Sequence, residues 1–137
     1  MGNGRNMKDA SLIKSVALPD GAAAVVTDGI DTMNGPNGDF VAPMECIITA
    51  PALAVGELAN DETIIYDIQD DDNSGFTSAR DVVPSVLTQT GAGGAGAAAA
   101  TKRVALPSDV QRYVRLKATN SDTLDASGED AIFEVVW

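Results

Sequence analysis

The chain has 137 residues, enough for one domain with a single core. Its 20 acidic and 9 basic residues leave a net charge of −11, which disfavours phosphate backbones and anionic lipid surfaces as partners. It has no histidine and 1 cysteine, which removes histidine-based catalysis, histidine metal sites and any intramolecular disulfide.

The first residues, MGNGRNMKDASLIK, contain no apolar stretch of signal-peptide length. Asn6 stands where a myristoylation pattern needs Ser or Thr. No apolar run approaches the roughly 18 residues of a membrane span. These features predict a soluble, intracellularly made chain that is not embedded in a membrane. Residues 1–40 are rich in turn signals: Pro19-Asp20-Gly21, Asp28-Gly29 and Asn34-Gly35-Pro36-Asn37-Gly38. Only Ser15 to Leu18 and Ala22 to Val26 are apolar between them. This region reads as an extended N-terminal arm with room for one short strand.

From Met44 the pattern changes to strands. Met44 to Ala50 places Cys46, Ile48 and Ala50 on one face, and Pro51 ends it. Cys46 lies in an apolar stretch and reads as a buried structural thiol. Thr63 to Ile68 alternates, with Ile64, Tyr66 and Ile68 on one side. An acidic turn follows, Asp70 to Gly75. Asp81 to Leu87 is apolar but carries Pro84, which fits an edge or bulged strand. Gly91 to Ala100 has no side chain larger than methyl and reads as a flexible loop or extended finger. Lys102 to Leu106 is a short strand ended by Pro107, and Ser108 to Gln111 suits one helical turn capped by Ser108. Tyr113 to Ala118 and Ala131 to Trp137 alternate cleanly. Ile48, Ile64, Tyr66, Ile68, Val104, Val114, Leu116, Phe133 and Val135 form the expected core. No stretch keeps helical spacing for three turns. The fold expected is an all-β antiparallel sandwich over residues 41–137, preceded by the arm, with a barrel as the other solution.

The sharpest local pattern is Asp70, Asp72, Ser74, Gly75 and Asp81, which matches alternate positions of a calcium loop. Helical flanks and a terminal Glu are missing, so a solvated hairpin tip is the favoured reading and Asp70, Asp72 and Asp81 stay weak metal candidates. The carboxylates Glu57, Asp61, Glu62, Asp67, Asp70, Asp71, Asp72 and Asp81 invite a paired-carboxylate hydrolase. Such an enzyme needs an aromatic-walled cleft, and aromatics are only 4% of the chain. Gly91 to Gly96 lacks the Lys-Ser/Thr of a phosphate loop. No catalytic residue, cofactor site or small-molecule substrate is therefore assigned. Lys102, Arg103, Arg112, Arg115 and Lys117 cluster late, without the aromatic interleaving of a nucleic-acid site. They suit a solvated strand face or pairing with acidic protein surface, the chain's own or a partner's.

The order of Thr63 to Ile68, the acidic turn with Phe76, Leu106-Pro107 and Arg112-Tyr113-Val114-Arg115-Leu116 resembles the capsid cement, or head decoration, proteins of tailed bacteriophages, especially some short-tailed ones. The resemblance covers roughly residues 44–137. It implies a jelly-roll-like sandwich on the outer surface of a virion, made in the host cytoplasm, that bridges neighbouring major capsid subunits against internal pressure. The implied partners are the major capsid protein and a second copy of the chain, as a homodimer in preference to a trimer. Candidate contacts are Arg5, Lys8, Leu12, Ile13, Arg103, Arg112 and Arg115. A small non-catalytic module that binds carbohydrate or calcium, in a phage tail or secreted protein, is the alternative.

Overall fold

The computed structural model describes residues 12–32 and 44–136. Its elements are strands: β1 (Ile13–Ala17), β2 (Ala24–Val26), β3 (Ile30–Asp31), β4 (Glu45–Ala50), β5 (Thr63–Asp71), β6 (Arg80–Thr90), β7 (Ala100–Ala105), β8 (Tyr113–Asn120) and β9 (Asp130–Val136). One sheet has the order β1-β9-β4-β7; the other has β2-β8-β5-β6, with β3 also on β8. Every strand pair is antiparallel. Apart from β2 to β3 and the β5–β6 hairpin, each connection takes the chain from one sheet to the other. That winding makes the sandwich a jelly roll.

Strict alternation builds the core. In β4 and β8 every second residue is buried, as period-two side chains require when one face is covered. Ile48, Ile64, Tyr66, Ile68, Val114, Leu116, Phe133 and Val135 are buried, as expected, while Val104 on edge strand β7 is only partly so. The thin inner faces are completed by residues outside the clean alternations: Leu18, Ile30, Leu53, Leu58 and Val110. Burial of each such side chain contributes roughly 1.5–3 kcal/mol.

The structure moves three boundaries. Within the expected arm, residues 12–32 belong to the sandwich: β1 pairs with β9, and β2 and β3 pair with β8. These short edge strands are held by backbone hydrogen bonds and need only one apolar face, so their sequence signal is weak. The rest of the expected arm, with Arg5 and Lys8, lies outside the described residues. The Gly91 to Ala100 run, expected as a flexible loop or finger, folds onto the β4–β5 connection. Leu53 and Ala97 exchange backbone bonds of 2.8 and 2.9 Å, and Asn60 Oδ1 accepts the Gly94 amide at 2.9 Å. A Cβ on Gly91 would stand 2.0 Å from the Ala59 carbonyl oxygen, so the missing side chains permit backbone-to-backbone contact. Finally, Ser108 to Gln111 forms a turn in place of the expected helical turn, with the Val110 amide on the Pro107 carbonyl at 3.2 Å.

Pro84 sits on edge strand β6, as its missing N–H demands. The β5–β6 register shifts on both sides of Ile68. Asp67 stabilises the first irregularity: its Oδ1 accepts the amide of Ser85, which has φ +49°, at 2.7 Å.

Candidate functional site

Two clusters concentrate the polar residues, one at each end of the sandwich. The first surrounds the end of β5. Asp70 continues the inward phase of Ile64, Tyr66 and Ile68 and is fully buried. Its oxygens are occupied: Arg80 donates through Nε to Oδ1 at 2.9 Å and through Nη2 to Oδ2 at 2.7 Å, and the Gln111 amide donates to Oδ2 at 2.8 Å. This bidentate pair holds the Arg80 guanidinium more firmly protonated than usual. Arg80 also reaches Asp109, which ties the β7–β8 loop to the hairpin.

Asp71 accepts the amides of Asn73 at 2.9 Å and Ser78 at 2.7 Å. These amides, that of Asn73 first, hold its carboxyl below the usual range. The hairpin connection therefore curls over the outer face of its own sheet. There Phe76, with φ +50°, lies against Gly29, and the Arg115 guanidinium stands 4.3 Å from its ring centroid. Burial makes the Arg115 guanidinium somewhat easier to deprotonate than usual. Arg115 Nε also donates to Gln69 Oε1 at 2.9 Å, and Gln69 Nε2 donates to Asp81 Oδ1 at 2.8 Å.

The calcium pattern thus resolves into structural roles. Asp70 faces Arg80, Asp81 accepts from Gln69, and Asp72 is exposed. Among the described residues, no three His, Cys, Asp or Glu side chains are gathered as a metal set. The expected solvated tip is also half wrong: Asp72 to Gly75 are exposed, whereas Asp70 and Asp71 are buried.

At the opposite end, the connections 18–23, 51–62, 91–99 and 121–129 contain seven carboxylates and no Lys or Arg. Asp122 joins two of these loops, with Oδ2 accepting the Ala59 amide at 2.6 Å and Oδ1 the Leu124 amide at 3.2 Å. Those amides, Ala59 first, lower its pKa. Hydrogen bonds from Ser127 do the same to Asp125. Gln89, also buried, accepts from the Tyr66 hydroxyl at 2.8 Å and donates to the carbonyls of Pro51 at 2.7 Å and Ala98 at 3.0 Å.

The candidate contact residues are dispersed. Leu12 packs on the core, and Ile13 lies opposite Glu134 on edge strand β1. Arg103 pairs with Glu45 on the other edge of that sheet. Arg112 forms a bidentate pair with Asp31 at 2.8 and 2.9 Å, which raises its pKa. On β8 itself, Arg115 donates to Gln69 and Lys117 stands 3.9 Å from Asp67 Oδ2, so these basic residues also engage the chain's own side chains. Sequence reading missed Gln89 and Asp122 as loop anchors, Asp67 as the anchor of the Ser85 bulge, and Gln69 as a side-chain link between β8 and β6. Only the Asx-turn spacing around Asp71, Asp122 and Asp125 signals such roles locally. Cys46 is buried as expected, and desolvation pushes its thiol up to about 12.

No family model matches the chain, and no curated protein matches it. Among solved structures, a chain of a cowpea mosaic virus empty virus-like particle, from electron cryo-microscopy, is similar over 92% of this chain and 78% of its own. The two share 10% identity, with a TM-score of 0.45. No helix among the described residues is long and apolar enough to cross a membrane.

Proposed function

We propose that this chain is a non-catalytic structural virion protein that binds the outer surface of a phage capsid and cements neighbouring major capsid subunits. The observation that carries the reading is where the buried polar side chains are used. Asp67, Asp70, Asp71, Gln89 and Asp122 each fasten a loop or a bulge to the jelly roll. Among the described residues, loops at both ends are thus tied to the sheets, which suits a part that transmits load between larger subunits. The motif resemblance over residues 44–137 supports the same reading. Many copies on one shell would give avidity from modest single contacts.

The test uses capsids of the encoding phage assembled without this protein. The purified chain should sediment with them and raise the temperature at which they release DNA. A chain that leaves both properties unchanged, yet binds a glycan array or calcium, would replace this reading with the binding-module alternative.

A further inference from the structure

The four sheet edges differ in what they offer a partner strand. β6 carries Pro84 and two register shifts, and the β2–β3 side of β8 is interrupted between Val26 and Ile30. β1 and β7 are regular. The Leu18 amide bonds the Glu129 carbonyl, so Val16 and Lys14 also direct their backbone groups at β9. The N–H and C=O groups of Ile13, Ser15 and Ala17 therefore point out of the sheet edge. By the same parity, set by the Leu106 amide on the Met44 carbonyl, Thr101, Arg103 and Ala105 point outward from β7.

Self-pairing requires these outward groups to meet in register. Two β7 edges centred on Arg103 would oppose the guanidiniums, and a shift of one residue would oppose Lys102 to Lys102. Like charges directly opposite destabilise a sheet, so these two central registers of β7 are guarded against self-pairing. Two antiparallel β1 edges centred on Ser15 meet no such obstacle. Ser15 opposes its own copy, Ile13 opposes Ala17 on the outer face, and Lys14 opposes Val16 on the inner phase. All outward backbone groups of the strand are then paired.

We propose that β1 is a self-complementary edge through which two copies of the chain join about a two-fold axis at Ser15. The four-stranded sheet β1-β9-β4-β7 then continues into that of the second copy. This inference rests on the strand edges alone and stands whether or not the chain decorates a capsid.

The test is sedimentation equilibrium of the full chain across roughly 1–100 μM, a range bracketing weak protein association. Wild type should populate a dimer. Ser15→Pro removes an N–H that the strand parity points away from β9, and Ser15→Arg opposes two cations at the axis. Each should weaken association at least tenfold while the circular dichroism spectrum stays that of the wild type. Arg103→Pro on β7 should leave the dimer intact. Ser15→Cys should crosslink to itself under mild oxidation, since directly opposed Cα atoms about 5.5 Å apart are within disulfide range. A wild-type monomer throughout the range, open-ended polymers, or a dimer insensitive to both Ser15→Pro and Ser15→Arg would overturn the proposal. If either Ser15 variant misfolds, the Ser15→Cys crosslink decides: its absence in a folded dimer also overturns it.

Discussion

Gly29 and Phe76 are far apart in sequence, yet a methyl group on Gly29 would stand 2.6 Å from Phe76 Cε2. Gly29→Ala should therefore destabilise by about 1–3 kcal/mol through overpacking. In a Phe76→Ala background the same change should cost much less, and equal costs in a denaturant double-mutant cycle would show that the ring is not the obstacle. Asp71 sets a second residue-scale expectation. Its folded carboxyl binds its proton less tightly than the unfolded one, because the Asn73 and Ser78 amides favour the anion. Below about pH 4 the unfolded chain takes up more protons, so this contribution is present at neutral pH and is lost on acidification. Asp71→Asn should lower the urea midpoint at pH 7 and flatten its decline towards pH 3. A variant that follows the wild-type pH profile would mean Asp71 contributes nothing to acid sensitivity.

At the scale of elements, legibility followed strand position. β4, β8 and β9 lie inside their sheets with one face on the core, so alternation revealed their phase. Leu116→Ala in β8 should accordingly cost about 2–5 kcal/mol, and an unchanged denaturant midpoint would refute that phase. β1, β2 and β3 lie on the margins and are stabilised by partners distant in sequence, which no local pattern encodes. Leu53 and Leu58 were missed for a related reason: each lies in a connection without strand alternation, and only the tertiary fold brings it over the core while Ala52, Ala54 and Val55 stay exposed. The acidic turn was legible as a turn, but the Asp70–Arg80 pair depends on bulges that set the hairpin register. The Gly/Ala run misled because composition reports freedom in the unfolded chain, whereas here small size permits contact. Gly96 has φ +71°, and a Cβ there would stand 1.9 Å from the Leu53 carbonyl oxygen. Gly96→Ala should lower the Tm and speed amide exchange at Leu53 and Ala97, whereas Gly93→Ala, with no atom within 4 Å but φ +63°, should cost less.

For the whole molecule, the sign of the salt response depends on two opposed effects. A net charge of −11 makes the folded chain repel itself, most strongly at the end where three of the four loops carry seven carboxylates and none carries Lys or Arg. Raising sodium chloride from 10 mM to 150 mM shortens the screening length from about 30 to about 8 Å and weakens that repulsion. The same salt weakens the attractive pairs Arg103–Glu45, Arg112–Asp31 and Arg80–Asp109, whose exposed side chains limit each to about 0–1 kcal/mol. The Asp70–Arg80 pair is partly shielded, because Asp70 is fully buried. Repulsion spread over many uncompensated carboxylates should exceed three weak local attractions. The Tm at pH 7 and fixed protein concentration should therefore rise, by about 2–4 °C for each kcal/mol of relieved repulsion. Calorimetric scans at the two salt concentrations measure it directly. A falling Tm would mean that the surface ion pairs outweigh the acidic excess, and that the carboxylate-rich end is less strained than its charge implies.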